Sequence, residues 1–563
     1  MYKFICSDNK YETYQYVETK TFQHIDTIQK SPRELKLFIN DVFDYDECAQ
    51  THALLHSNLK SNKMIPGILD LTMTHGKEKK KFLYLCKPDD KRIPFFLIPY
   101  NNQLGFDKSI KKIYIAFEFK NWEHDRPHGT MTQNLGAIDI LNNYYDYILY
   151  CKSLNVSIQQ FTKETKRKLK DRSNNEIIDS IARFHNLEVR HKKDHYVFSL
   201  DSQSTNDFDD AFSFNKRENK ASIYIADVAL IMDYLELWDA FSNRVSTIYL
   251  PDKKRTMLPS VLIDCLCSLK EKNYKLCYVL DLFFDDRNNI TKHEFKCCNA
   301  YIAKNVAYEN MREFDKRDDF QALLATMGLH HAKQLTTKLM LLFNHYVAKC
   351  FSANKQGIFK SLKQQEVSIP DTLPSQVYEH ICVLRNTSSQ YCLYNDDLVY
   401  QSRKHKHMDV YTQASSPIRR LIDLLNNIMI HKYLIQDILT TKSQEFYDSW
   451  TDTEHLEQIN ISSRAIRKIQ SKCHIYKKYE ENRRNNHSVH YEGYVFDKVY
   501  KNGDGKYQYM VYIQELNLTT YVTLMKELDN YTKHIFALYV FMNEENDKKK
   551  IKLQLCYENN DLI

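Results

Sequence analysis

Asp201-Ser-Gln-Ser-Thr-Asn-Asp207-Phe-Asp209-Asp210-Ala211 places four carboxylates within ten residues, directly behind the apolar run Tyr196-Val-Phe-Ser-Leu200. That run reads as a strand. The acids therefore stand where a strand ends and the chain turns, a position from which a rigid scaffold presents chemistry. If Asp207 and Asp209 continue extended, their side chains share one face and Asp210 points away. A turn must then return Asp210 and Asp201 to them. Clustered carboxylates repel one another, and a hard divalent cation with oxygen ligands offsets that repulsion. Two such cations about 4 Å apart suit in-line attack on a phosphodiester. The competing reading is an acidic turn bathed in water, since Asp and Asn are ordinary loop and cap residues. No D-x-D-x-D-G calcium loop is present. Spacing alone leaves both readings open.

A second element is Tyr411-Thr-Gln-Ala-Ser-Ser416-Pro-Ile-Arg419-Arg420-Leu-Ile-Asp423-Leu. It reads as a helix start, with Ser416 as N-cap and Pro417 at the first helical position. Unpaired N–H groups at such a start favour phosphate. Two guanidiniums added there would clamp a phosphate and stabilise charge that develops on it. Asp423, three residues beyond Arg420, is spaced to orient that arginine. On these residues alone the pair is equally a structural one. Tyr249, ahead of Leu250-Pro251, is by the same standard a core-filling aromatic.

Taken in order, these segments resemble the ribonuclease II / ribonuclease R (RNB) family, in the layout of its exosome-nuclease branch. Asp201 to Ala211 is similar to the family signature. Tyr224-Ile-Ala-Asp227-Val-Ala, Tyr249-Leu-Pro with Met257-Leu-Pro, Leu266-Cys-Ser-Leu269, Lys338-Leu-Met-Leu-Leu-Phe-Asn344 and Ser416-Pro-Ile-Arg419-Arg420 follow as the family's segments do. The resemblance implies magnesium as cofactor, with manganese as a substitute and no small-molecule cofactor. It implies that Asp201 and Asp210 hold the main magnesium. Asp209 orients the attacking water or a second magnesium, and Asp207 completes the cage and meets the terminal ribose. Tyr249 stacks on the last base at the 3′ end, and Arg419, with Arg420 second, contacts the terminal phosphates. The chain departs from the family at Ser202, where Pro is usual, and at Gln413-Ala414-Ser415, where His-Phe-Thr is usual. Asn427-Ile428 replaces a His-Arg pair, and Gln470 falls near the place of a helical Glu. None of these changes touches the four acids, Tyr249 or the arginine pair.

Composition bounds the rest. The 563 residues carry 27% charged and 43% hydrophobic side chains, those of an ordinary globular chain of three or four domains. A net charge of +7 argues only weakly for a polyanionic partner, whereas 40 Tyr and 29 Phe supply ample surface for stacking on bases. The 14 Cys include no C-x-x-C pair, so reduced and mostly buried thiols are expected. No run reaches the ~20 apolar residues of a membrane helix. The N-terminus has no leader pattern, so an intracellular, cytoplasmic protein without a membrane partner is expected. Ten Gly among many Lys, Asn, Ile and Tyr suggest an AT-rich genome and are compatible with a large DNA virus.

The expected fold class is α+β and multidomain. Residues 1–60 form an N-terminal extension or partial barrel, and 61–137 a cold-shock or OB-like barrel, read from short apolar segments separated by turns. Residues 138–188 form a helical linker with a basic run at Lys163–Lys170. Residues 189–487 form an α/β RNB nuclease domain with a helical C-terminal part, and 488–563 a C-terminal OB barrel of five strands. Leu335, Leu339, Leu342, Phe343 and Val347 recur at helical spacing and mark a core helix. The expected function is processive, magnesium-dependent 3′→5′ hydrolysis of single-stranded RNA to nucleoside 5′-monophosphates. The alternatives are a catalytically impaired RNA-binding subunit of an RNA-decay complex and, third, a DNA nuclease. No additional N-terminal endonuclease domain is expected, because residues 1–60 lack a second carboxylate cluster.

Overall fold

The computed structural model describes residues 1–101, 111–361, 369–370, 372–385, 390–395, 410–435, 438–485, 489–501, 503, 505–543 and 547–556. The boundary expected between 487 and 488 lies outside them. Two compact units are present: 1–155 with 250–252 and 469–563, and 156–249 with 253–468. No helix among the described residues is long and apolar enough to cross a membrane.

The first unit is rich in sheet. Tyr14–Glu18, Tyr2–Cys6, Val42–Asp46 and Thr51–His56 form a four-stranded sheet in that order. Ile65–Glu78, Lys81–Pro88, Phe96–Tyr100, His128–Ala137 and Lys112–Asn121 close into a barrel. Closure leaves no free edge, and the lumen fills with Ile65, Leu69, Cys86, Phe96, Ile98, Ile115 and Phe117. Gly67 permits the tight packing: a Cβ there would lie 2.6 Å from the Cys86 sulfur. Helix Leu141–Cys151 turns Tyr147 onto Tyr114, with ring centres 4.2 Å apart. The C-terminal part holds the five expected strands in the order Leu518–Leu524, Lys506–Ile513, His490–Lys501, Lys533–Asn543 and Lys548–Leu555. All its pairings are antiparallel, and its ladder stays open among the described residues, so the form is a curled sheet and not a hydrogen-bonded closed barrel.

The second unit is built on a mixed six-stranded sheet. Its order is Glu188–Arg190, Ile290–Ala307, Val197–Asp201, Asp210–Asn215, Lys220–Ala226 and Asn273–Phe284. Ile290–Ala307 runs parallel to Val197–Asp201 and also pairs antiparallel with Asn273–Phe284, so the ladder returns on itself. Every residue of Lys220–Ala226 is buried, the pattern of a strand covered on both faces. A buried charge in such a sheet must be paired. Arg190 is paired, donating to both Asp281 oxygens at 3.0 and 2.7 Å and to the Tyr224 hydroxyl at 3.1 Å.

Helices complete this unit. Ala332–Ala353 buries Leu335, Leu339, Phe343 and Val347 along one stripe. Leu421–Tyr433 is buried from Leu421 through His431, on all sides, and is the central helix of the domain. Gln159–Leu169 and Asn174–Phe184 precede the sheet, and Ser173 with Glu176 forms a capping box on the latter. The architecture is α+β and multidomain, with an OB-like barrel preceding an α/β domain in sequence.

Candidate functional site

The strand Val197–Asp201 ends on its acid, and the antiparallel strand Asp210–Asn215 opens on another. Phe198 faces Phe212 in register, so the hairpin brings its two terminal acids towards each other. Residues 202–209 form no strand, so Asp207 and Asp209 do not continue an extended run with alternating faces. Tertiary bonds set this loop instead. Phe208 donates its N–H to the Ser268 hydroxyl at 3.0 Å and accepts from the Leu269 N–H at 2.9 Å. The Asp209 carbonyl accepts from the Ala226 N–H at 2.9 Å.

The four carboxylates have different partners. Asp209 is 3% exposed; its Oδ1 accepts from the Ile418 N–H and its Oδ2 from Arg419 Nε, each at 2.9 Å. Burial raises its pKa, against the pull of the Arg419 guanidinium and the Ile418 N–H. Asp207 accepts from Lys254 Nζ at 2.8 and 2.7 Å. Asp201 and Asp210 are the opposite case, because the Oδ2 of each is buried and accepts no hydrogen bond. Burial, then the Asp209 charge, pushes the Asp201 carboxyl up to about 6. Burial and the charges of Asp201 and Asp209 hold Asp210 well above the ordinary carboxylate range.

Two bare, buried carboxylate oxygens on a pair of half-buried acids are what a hard cation satisfies. The residues present fit a divalent ion at Asp201 and Asp210. They do not form one four-acid cage: among the described residues the only trio of ligand atoms within 4.8 Å belongs to Asp227, Cys297 and His431. Asp209 is turned to Arg419, and Asp207 to Lys254.

The arginine motif differs from its expected form. Residues 417–419 make a turn, the helix begins at Leu421, and Arg420 is its N-cap, with no side-chain cap bond. Ser416 is therefore not the N-cap, nor Pro417 the first helical residue. Tertiary pairing takes the place of a local cap. The Leu421 N–H donates to Val245 O at 3.0 Å, the Thr247 N–H to Arg419 O at 2.9 Å, and Ser246 bridges to Arg420. Asp423 reaches back from the first turn, accepting from the Ser416 N–H at 2.8 Å and from Arg420 Nη2 at 2.7 Å. Arg419 also donates through Nη2 to the Ser416 hydroxyl at 3.0 Å, yet its side chain stays 42% exposed. Asn344 supports the approach to the motif, accepting from the Ala414 N–H at 2.9 Å and donating to Ser415 at 3.2 Å.

Tyr249 belongs to the same assembly. It ends the short strand Ile248–Tyr249, paired directly with Lys254 of Lys254–Arg255, and it is 38% exposed. Cross-strand partners share a face. The hairpin thus presents the Tyr249 ring and the Lys254 ammonium side by side, with Lys254 bound to Asp207. The backbone bonds from Val245 and Thr247 tie this segment to the arginines. Sequence reading missed Lys254, although a hairpin turn at Leu250-Pro251 would have placed it opposite Tyr249.

Comparison with known proteins bears on the fold and its domains. Residues 190–322 match the model of the RNB domain, and residues 83–152 that of the Dis3-like cold-shock domain 2. Residues 190–322 are thus similar to the RNB domain. Ribonuclease R of Chlamydia pneumoniae is 24% identical over 348 residues, 47% of this chain and 51% of that protein. The chain thus aligns to about half the length of that relative. Among solved structures, Mycoplasma genitalium RNase R in complex with ribose-methylated single-stranded RNA superposes with a TM-score of 0.65 at 14% identity, over 98% of this chain and 96% of the other. Yeast Ssd1, described as a pseudonuclease, superposes with a TM-score of 0.56 at 14% identity, over 89% of this chain and 69% of the other. Both likenesses are of fold.

The second unit also contains the buried trio of Asp227, Cys297 and His431. Asp227 Oδ1 lies 2.9 Å from His431 Nε2 and accepts the Leu230 N–H at 3.1 Å, while Oδ2 accepts from the Cys297 thiol at 3.4 Å. Burial, reinforced by the Asp227 charge, holds the Cys297 thiol well above its ordinary pKa and therefore protonated. Each carboxylate oxygen has a protein donor. The trio has ligand-type residues but no open valence, and it acts as a hydrogen-bonded pin between sheet and central helix.

Proposed function

We propose that this chain is an RNB-family, magnesium-dependent 3′→5′ exoribonuclease that hydrolyses single-stranded RNA to nucleoside 5′-monophosphates. The observation that carries the reading is the pair of bare, buried oxygens on Asp201 and Asp210 beside a partly exposed arginine. Magnesium held there would supply the positive charge that offsets the acids and the negative charge developing on the scissile phosphate. The chain's own groups do the rest. Asp209 fixes the Arg419 plane through Nε, and Ser416 fixes it through Nη2, leaving other N–H groups for a phosphate oxygen. Tyr249 offers a ring on which a terminal base stacks and so sets how far the strand enters. Asp207, held by Lys254, stands beside that ring to meet the terminal ribose.

A 3′-tailed labelled oligoadenylate incubated with the chain and magnesium tests this. Progressive release of adenosine 5′-monophosphate is expected, with none from the DNA counterpart and none after chelation. Asp209→Asn should lose cleavage while still binding RNA; hydrolysis by that variant would contradict its place in the site.

A second reading has its own observation. Asp207 and Asp209 are already neutralised by Lys254 and Arg419, as suits a catalytically impaired RNA-binding subunit of a decay complex, and one fold neighbour is a pseudonuclease. RNA binding without magnesium-dependent release would favour it.

A further inference from the structure

Asparagine suits a strand poorly, because its side chain competes for backbone hydrogen bonds. Asn305 nevertheless stands two residues from the end of Ile290–Ala307. In the parallel pairing with Val197–Asp201 it lies beside Ser199, as Ala307 lies beside Asp201. Its side-chain amide is divided between two neighbours. Nδ2 donates to the Ser199 hydroxyl at 2.8 Å and to Leu269 O at 2.9 Å, while Oδ1 accepts the Glu271 N–H at 2.8 Å. The Asn305 N–H in turn donates to Glu271 Oε2 at 3.0 Å, so the strand end and residues 269–271 hold each other from both sides.

The two arms of this amide lead to the two sides of the acid pair. Ser199 is fully buried and stands two residues before Asp201, so both side chains project from one face of the strand. A hydroxyl that accepts one hydrogen bond still has a proton to donate. Burial and then the Asp209 charge raise the Asp201 carboxyl, and a hydrogen bond from the Ser199 side chain opposes them. The other arm ends on Leu269, whose N–H donates to Phe208 O at 2.9 Å, immediately ahead of Asp209 and Asp210. Ser268 holds the same residue, accepting the Phe208 N–H at 3.0 Å. One amide thus joins the strand that ends on Asp201 to the loop that delivers Asp210.

We infer that Asn305 is a positioning residue for the metal pair: through Ser199 and Leu269 it sets the separation at which Asp201 and Asp210 present their bare oxygens to a divalent cation. Asn305 acts through these neighbours and is not a ligand. The inference rests on the magnesium-dependent nuclease reading above and names what holds that site in shape. Groups that orient a metal ligand from behind change metal affinity by about 10–100-fold when removed.

Calorimetric titration of magnesium into the metal-free whole chain, together with steady-state release of mononucleotide from labelled oligoadenylate, tests this. Asn305→Leu keeps the branched shape and removes the amide. It should weaken magnesium about tenfold and lower kcat at saturating magnesium, with KM and the affinity for oligoadenylate in chelator unchanged. Ser199→Ala cuts one arm only; it should weaken magnesium about threefold, the scale of a single hydrogen bond, and it carries the test should Asn305→Leu fail to fold. A lowered urea midpoint in both variants, with magnesium affinity and kcat at wild-type values, would make Asn305 a pin of the fold and overturn the inference. A wild type that binds magnesium but releases no mononucleotide would sink the exoribonuclease reading, and weakened magnesium in the variants would still uphold Asn305. Normal release by the wild type with unchanged magnesium affinity in both variants would do the reverse.

Discussion

Two acid-containing clusters in the second unit invite opposite conclusions from composition and from geometry. Asp227, Cys297 and His431 have the ligand types of a transition-metal site, within 4.8 Å of one another. Asp201 and Asp210 offer only carboxylates, with the Asp209 charge acting on both. Yet the trio closes on itself, each Asp227 oxygen meeting a donor, whereas Asp201 and Asp210 each keep a buried oxygen with none. Residue type says what could bind; unmet valence says what has been left for a ligand. A self-satisfied cluster stabilises the fold, and an unsatisfied one stores electrostatic strain that a bound cation relieves.

The comparison breaks first at Asp210. Asp210→Asn should cut mononucleotide release by about 10³-fold or more, the scale of losing metal-assisted charge stabilisation. It should raise the melting temperature of the metal-free protein near neutral pH, because a carboxyl whose ionised form is disfavoured by burial and by the charges of Asp201 and Asp209 is gone. His431→Ala should behave in reverse. It opens a cavity and leaves buried Asp227 short of a donor, costing about 2–4 kcal/mol in a urea melt, while magnesium still raises the melting temperature of the folded fraction. A variant that lost the magnesium response without losing stability would move the metal to the trio.

Acidity sharpens the contrast. The Asp201 carboxyl, raised to about 6, favours the metal-free fold while protonated, and that contribution is lost as pH rises through about 6. Magnesium takes the proton's place, so the rise in melting temperature that it causes should grow from pH 5 to pH 7. A response independent of pH would remove Asp201 from the ligands. The smallest effect is expected at Lys254. Its ion pair with Asp207 is partly exposed, and Lys254→Met should tighten magnesium only a few-fold, on the order of 0.5–1 kcal/mol after solvent screening.

Most of the architecture is legible in the sequence because it is local. The five C-terminal strands, the stripe of Leu335, Leu339, Phe343 and Val347, and the ordered motifs from Asp201 to Arg420 all report on their own neighbourhoods. The site is less so. Ser416-Pro417 has the local signature of a helix start, but the first free N–H of that helix is met by Val245 O, 176 positions away by residue number (421 − 245), which no local rule sees. Asp207 and Asp209 are equivalent in the sequence and are distinguished only by tertiary partners, Lys254 and Arg419.

A divalent cation seated at Asp201 and Asp210 is the central proposal. Calorimetric titration of magnesium into metal-free protein at pH 7.5, wild type beside Asp210→Asn, addresses it most directly. A binding heat in the wild type that disappears in the variant is the predicted result; no binding in the wild type, or equal binding in both, would contradict it.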